Sequence, residues 1–272
     1  MALTLAHPAA VSMFRGLVRR RALDLPALLV GSIAPDIGNW IGRPSLADRA
    51  HTWMGSLTTA VPIALALLAV YHLLRRPVFF ALPNPHRHCL ADCPELNRGP
   101  WRTGDALATV AGIFVGIICH LLWDAGTEQT GWLVSRLSIL QGSFYFPSWS
   151  PIQGALPVYF VSNLITSVVA LAGGLLVYRS WYRARLAGLP HPYLTRDFDK
   201  WRWFFWTIAL LIAGAHGLPT ALPLLGSEPD FYRVTLFFRH WGISFAATFV
   251  TLAAVGTTLV YFAWWRRWES VG

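Results

Sequence analysis

Five apolar runs in the chain contain no Asp, Glu, Lys or Arg: Ser56–Leu74, Ala106–Trp123, Val158–Tyr178, Trp203–Leu225 and Trp241–Trp265. A bilayer hydrocarbon core about 30 Å thick is crossed by roughly 20 helical residues, each rising about 1.5 Å. An α-helix also satisfies its own backbone there, where no water can. The runs therefore predict five transmembrane helices. Composition agrees, because 55% of the residues are hydrophobic and 13% charged, whereas a soluble globule needs about a quarter charged to cover its surface. Disorder is excluded by the same figures. Three cysteines, Cys89, Cys93 and Cys119, are too few for a disulfide scaffold.

Before the first run, Pro26–Ile41 is apolar but short and is interrupted by Pro35 and Asp36, which suits a re-entrant helical hairpin. Ala9–Arg21 places Val11, Phe14, Leu17 and Val18 on one helical face with Arg15, Arg19 and Arg20 turned away, the pattern of an interfacial amphipathic helix. The expected fold is an all-α polytopic membrane bundle of five transmembrane helices with an N-terminal amphipathic and re-entrant segment. It forms a single membrane domain over 1–272, with an N-terminal segment 1–55, a first helix pair 56–124 and a three-helix part 158–265. The Pro- and His-rich stretch 77–100 reads as a connecting loop. His7 and Pro8 break the first apolar residues and the basic cluster follows them, which is not a signal-peptide pattern, so the N-terminus is expected to stay on the mature protein.

The formal net charge is +9. The arginines sit at the ends of apolar runs rather than on a soluble basic face, so anionic lipid, not nucleic acid, is the expected partner. Lys and Arg between the runs set the orientation. Five lie in 75–105, six in 179–202 and two, Arg266 and Arg267, in the tail. The opposite side holds Arg136, Arg233 and Arg239, plus six arginines in residues 1–55. That contrast places the C-terminus in the cytoplasm. Trp132, Trp149, Trp181, Trp201, Trp264, Trp265 and Trp268 stand where interfacial aromatics are expected.

The second run carries Gly112, Gly116, His120 and Asp124 at four-residue steps, hence on one helix face. The glycines permit close approach of another helix, and the imidazole and carboxylate one turn apart can share a metal ion. An isolated His-x-x-x-Asp pair is more often an Asp bonded to its neighbouring His. Topology strengthens the metal reading: His51 precedes the first span, Asp36 lies in the Ala34-Pro35-Asp36 turn, and His7 opens the chain. The first span leads away from one membrane face and the second returns to it, so His7, Asp36, His51, His120 and Asp124 are expected to converge there. Mixed N/O ligation suits zinc, with manganese or iron as alternatives.

At these residues the chain resembles a bacterial integral-membrane family, domain of unknown function 4184. The resemblance is carried by Leu5-Ala6-His7-Pro8-Ala9-Ala10-Val11, Leu29-Val30-Gly31-Ser32-Ile33-Ala34-Pro35-Asp36, His51-Thr52 and His120-Leu121-Leu122-Trp123-Asp124. It covers most of the N-terminal half, while the second half matches only as hydrophobic helices. The chain is distantly similar to inner-membrane metal-dependent hydrolases, whose ligand order is in turn similar to that of zinc-dependent phospholipase C. The resemblance implies a bacterial inner-membrane location and a metal-dependent hydrolase. Where the family usually continues with Phe-Thr-His, this chain has Gly126-Thr127-Glu128, so Glu128 stands at a usual His position and becomes the candidate base or extra ligand.

The leading expectation is hydrolysis of a phosphoester or ester of a lipid-like substrate at the extracytoplasmic interface, with Arg43 and Arg49 available to an anionic head group. The alternative is a non-catalytic subunit of a larger membrane complex. A transporter is less favoured, because no inverted repeat is evident. His86, His88, Cys89 and Cys93 form a second ligand-rich run, read mainly as a flexible polar loop with free thiols. His216 is expected to bond a backbone carbonyl freed near Pro219.

Overall fold

The computed structural model describes residues 6–98, 103–145, 155–188, 200–226 and 231–269, the side chains of 231, 232 and 264–269 apart. Among these residues it is all-α apart from one antiparallel pair of three-residue strands. Among the described residues five helices are long and apolar enough to cross a membrane: Trp53–Ala81, Thr103–Thr127, Val158–Ala187, Lys200–Leu224 and Arg233–Ala263. Their large apolar side chains lie on the outside, among them Val169, Leu176, Leu211 and Leu259. Such surface is at home against lipid and a liability in water.

The helices overrun the charge-free runs. Arg179, Arg183 and Arg185, assigned to a loop above, continue the third span, and Arg233 and Arg239 lie within the fifth. Long cationic side chains can reach the head-group layer from a helix end, so a charge does not mark where a helix stops. The described part of the stretch 77–100, residues 77–98, is also not one loop. The first span runs through Pro77 to Ala81, and two short helices follow, His86–Ala91 and Pro94–Asn97. Among the expected interfacial tryptophans, Trp149 and the side chains of Trp264, Trp265 and Trp268 lie outside the described residues.

Contacts divide the chain into two compact units: residues 1–38, 44–69 and 98–181 form one, and 39–43, 70–97 and 182–272 the other. The first begins with α1 (Ala6–Ala10), a 3-10 turn (Val11–Phe14) and α2 (Arg15–Arg19). This segment differs from the expected interfacial helix in that its apolar face is consumed inside the protein. Val11 and Val18 are buried with Leu23 and Leu28 and packed on by Val115 and Cys119, while Leu17 is exposed.

Next come α3 (Leu25–Ile33), a 3-10 turn at Ala34–Asp36 and α4 (Ile37–Trp40). Asp24 caps α3 by accepting from the Ala27 amide at 2.9 Å, with Pro26 in the first turn where its missing N–H is harmless. Residues 25–40 thus form one helical run with the 3-10 turn at Pro35 inside it, where a re-entrant hairpin was expected. α5 (Pro44–Ala50) leads into the first span, which opens as α6 (Trp53–Gly55), passes a π-helical turn (Ser56–Ala60) and continues as α7 (Val61–Ala81). The second span, numbered α10 (Thr103–Thr127) after the short α8 (His86–Ala91) and α9 (Pro94–Asn97), packs against α3.

After α10 comes a single turn, α11 (Ser138–Gln141), then an antiparallel pair, β1 (Ser143–Tyr145) and β2 (Ala155–Pro157), which feeds α12 (Val158–Ala187). In the second unit α13 (Lys200–Ala221) packs along α14 (Phe231–Glu269), where Gly217 admits Trp241 and Ser244. The carbonyls of Phe80 and Ala81 at the end of α7 accept from Arg202 Nε at 3.0 Å and Trp206 Nε1 at 2.9 Å. Those bonds satisfy terminal acceptors that a helix cannot satisfy itself.

Candidate metal centre

The site is built on the glycine face of α10. Ala108, Gly112, Gly116, His120 and Asp124 are all buried along it. A Cβ on Gly116 would collide with the Leu28 carbonyl, and one on Gly31 with the Ile113 carbonyl, so the α3 and α10 backbones meet with no side chain between them. That approach brings His120 Nδ1 to the Ser32 carbonyl at 2.7 Å. Asp36, one turn beyond Ser32, is buried beside it, with Oδ1 3.8 Å from His120 Nε2.

His51 arrives from the corner between α5 and the first span. Its Nδ1 meets the Ala47 carbonyl at 2.8 Å, and the next residue, Thr52, caps the span by accepting from the Gly55 amide at 3.0 Å. The ring is thereby aimed inward: Nε2 lies 3.1 Å from His120 Nε2, 3.2 Å from Asp124 Oδ2 and 3.8 Å from Asp36 Oδ1. Asp124 Oδ2 is 3.0 Å from His120 Nε2. One ligand atom each from Asp36, His51, His120 and Asp124 thus lies within 4.8 Å of the other three. Among the described residues this is the one group of three or more His, Cys, Asp or Glu placed to share an ion.

The tautomers follow from the partners. A carbonyl can only accept, so both Nδ1 atoms donate and, in the neutral rings, both Nε2 atoms present lone pairs to each other and to two carboxylates. Four electron-rich atoms facing one point are stable only around a cation or shared protons. Ligand atoms set tetrahedrally about 2.0–2.1 Å from a centre lie about 3.3–3.4 Å apart. Five of the six separations, 3.0, 3.1, 3.2, 3.8 and 3.8 Å, bracket that value. The Nδ1–carbonyl bonds are of the kind that orient metal-ligating imidazoles.

His7, on α1, closes the inner wall. It is 2% exposed, and its ring stacks on that of His120 with centroids 3.9 Å apart and planes inclined by 28°. Nε2 lies 3.6 Å from Asp124 Oδ1, and the indole of Trp123 meets the ring edge-on at 5.7 Å. Burial, reinforced by His120, pushes the His7 pKa down to about 4. Burial also pulls His51 down, but its bond to Asp124, the Ala47 carbonyl and the charge of Asp36 outweigh it and raise the value to about 9.

All five residues singled out by their pattern, His7, Asp36, His51, His120 and Asp124, are therefore gathered in the first unit, with His7 against the group of four rather than within it. Glu128 is not in that group. It is half-buried in the turn after α10, where its amide donates to the Asp124 carbonyl at 3.0 Å. Arg43 and Arg49 are exposed. The backbone carbonyls of Ser32 and Ala47 had no signal in the sequence, because any residue supplies one.

The second ligand-rich run does not gather. His86 stacks on Tyr182 at 4.4 Å, Cys93 Sγ donates to Glu95 Oε2 at 3.2 Å, and Cys89 and Cys93 are buried free thiols, Cys89 on α8 and Cys93 between α8 and α9. His216 pairs through Nδ1 with the Thr248 hydroxyl at 3.0 Å, whereas a backbone carbonyl was expected. The carbonyl of Gly214 is taken instead by the Trp241 indole at 2.9 Å.

Comparison with curated proteins and with solved structures returned no match. A family match covers residues 1–264, well beyond the N-terminal half that carries the site motifs. The chain therefore belongs to the family described as domain of unknown function DUF4184.

Proposed function

We propose that the chain is a membrane-embedded metal-dependent hydrolase that holds a divalent ion, zinc by its ligand set, between Asp36, His51, His120 and Asp124. The observation that carries this reading is the gathering of two imidazole nitrogens and two carboxylate oxygens within 4.8 Å of one another, five of their six separations being 3.0 to 3.8 Å. Two imidazoles and two carboxylates form a donor set that suits zinc, with manganese or iron as alternatives. An ion held there would supply Lewis acidity and bring the pKa of water towards neutrality.

The protein's own part is orientation and access. Ser32 and Ala47 fix the two imidazoles, and α3 seals the inner side through the glycine contacts. The opening is at His51, whose side chain is 23% exposed while those of Asp36, His120 and Asp124 are nearly closed off. Trp53 and Met54, 84% and 70% exposed, stand directly after it at the start of the first span. An opening beside exposed apolar side chains favours a lipid-like ester or phosphoester arriving from the membrane interface. The charge count between spans supports an extracytoplasmic position for this end in a bacterial inner membrane, with the C-terminus in the cytoplasm. Glu128 takes no part in holding the ion.

The test is hydrolysis of a chromogenic phosphodiester and a chromogenic carboxylic ester by the detergent-purified chain, beside Asp124→Ala. Turnover of either substrate, lost in the variant and on chelation, supports the reading. Zinc-replete protein inert to both favours the accessory-subunit alternative, for which Glu128 at a usual His position is the sequence feature.

A further inference from the structure

We propose that His7 and the second oxygen of Asp124 hold a second divalent ion, so that Asp124 bridges a two-metal centre. The inference rests on the first site and assigns His7, which that site does not use. Asp124 divides its oxygens: Oδ2 faces His51 and His120, while Oδ1 is buried, has no hydrogen-bond partner and faces His7 Nε2 at 3.6 Å. That separation is too long for a hydrogen bond. It is close to the roughly 3.3 Å between two ligand atoms that share an ion about 2.0–2.1 Å from each.

His7 makes the point independently. It is 2% exposed, and neither ring nitrogen has a hydrogen-bond partner. Stacking on His120 does not account for an imidazole there, since an apolar ring would stack as well without two unmet nitrogens. A ligand does account for it. The two stacked rings are 3.9 Å apart, and their Nε2 atoms approach different oxygens of one carboxylate, His120 at Oδ2 and His7 at Oδ1. Ions in paired catalytic sites sit about 3.5–4 Å apart, comparable to the 3.9 Å between the two stacked rings. With two protein ligands, the second ion leaves most of its coordination to water or substrate. Two divalent ions also exceed the charge of Asp36 and Asp124, which favours an anionic ligand oxygen bridging them.

The experiment is metal counting on the full chain in detergent, loaded with manganese(II) and freed of excess by gel filtration, with electron paramagnetic resonance on the same samples. His7→Phe keeps the ring stack but removes both nitrogens, and His7→Ala checks that the result does not depend on the larger ring. The wild type should hold two ions per chain with an exchange-coupled spectrum, and both variants one ion with the six-line spectrum of an isolated centre. One ion in the wild type, unchanged in His7→Phe, would overturn the second site and leave the first standing. Two ions in wild type and variants alike would remove His7 from it, and a wild type without metal would overturn both.

Discussion

His51 Nε2 and His120 Nε2 lie 3.1 Å apart while the Nδ1 of each ring is committed to a backbone carbonyl, Ala47 in one case and Ser32 in the other. The carbonyls come from different segments, the middle of α5 and the end of α3, so the fold itself turns two basic nitrogens towards each other. A positive charge between them is what the arrangement demands, and the predictions below examine its consequences.

In chelator-treated protein, stability should peak near neutral pH. The pKa of His51 is raised from 6.5 to about 9, so its contribution is fully present below 6.5 and is lost as pH rises through about 9. Burial lowers the pKa of His7 from 6.5 to about 4, with His120 and His51 also opposing its charge and Asp124 and Asp36 favouring it. Between those values the unfolded chain binds the extra proton, so stability falls as pH drops from 6.5 towards 4. Thermal unfolding from pH 4 to 9 should show both limbs, and zinc should remove the alkaline one by replacing the proton of His51. A midpoint that does not fall between pH 6.5 and 9 without metal contradicts this.

The α3–α10 contact should tolerate no side chain at Gly116. Gly116→Ala forces a Cβ against the Leu28 carbonyl and Ser32 amide, which are backbone atoms unable to step aside. The expected destabilisation is about 1–3 kcal/mol, with weakened metal retention because Ser32 orients His120. Gly16→Ala, where nothing lies within 4 Å of the added carbon, is the control and should be neutral or slightly stabilising. Equal melting temperatures for the two variants would remove the close approach as the basis of the site.

Sidedness is checked by single cysteines in a chain lacking its native three. Gly126→Cys, after Asp124, should react with an impermeant reagent from outside the cell, and Arg76→Cys, at the far end of the first span, only after permeabilisation. Labelling of both from one side contradicts the charge-based orientation.

Much of this was legible because membrane crossing and helix periodicity are written in single residues. The four-residue stripe from Gly112 to Asp124 predicted both the close contact and a shared face for His120 and Asp124, and the structure places both on one side of α10. Helix ends were less legible. Pro77 and the arginines after Tyr178 signal a stop, yet α7 and α12 continue, α7 because Arg202 and Trp206 of a distant helix satisfy its last carbonyls. The apolar face of residues 9–21 has the same pattern whether it meets lipid or protein. Nothing local says that α3 and α10 cover Val11 and Val18.

The central claim is a cation between Asp36, His51, His120 and Asp124, and the most direct measurement is metal content. The full chain, purified in detergent without chelator, is analysed beside His120→Ala and Asp124→Ala, with circular dichroism to show that all three are equally helical. The account predicts stoichiometric divalent metal in the wild type and little or none in either variant, because lipid burial and helix packing rather than the ion hold the spans together. A wild type that contains no stoichiometric metal, or variants that retain it in full, would contradict it.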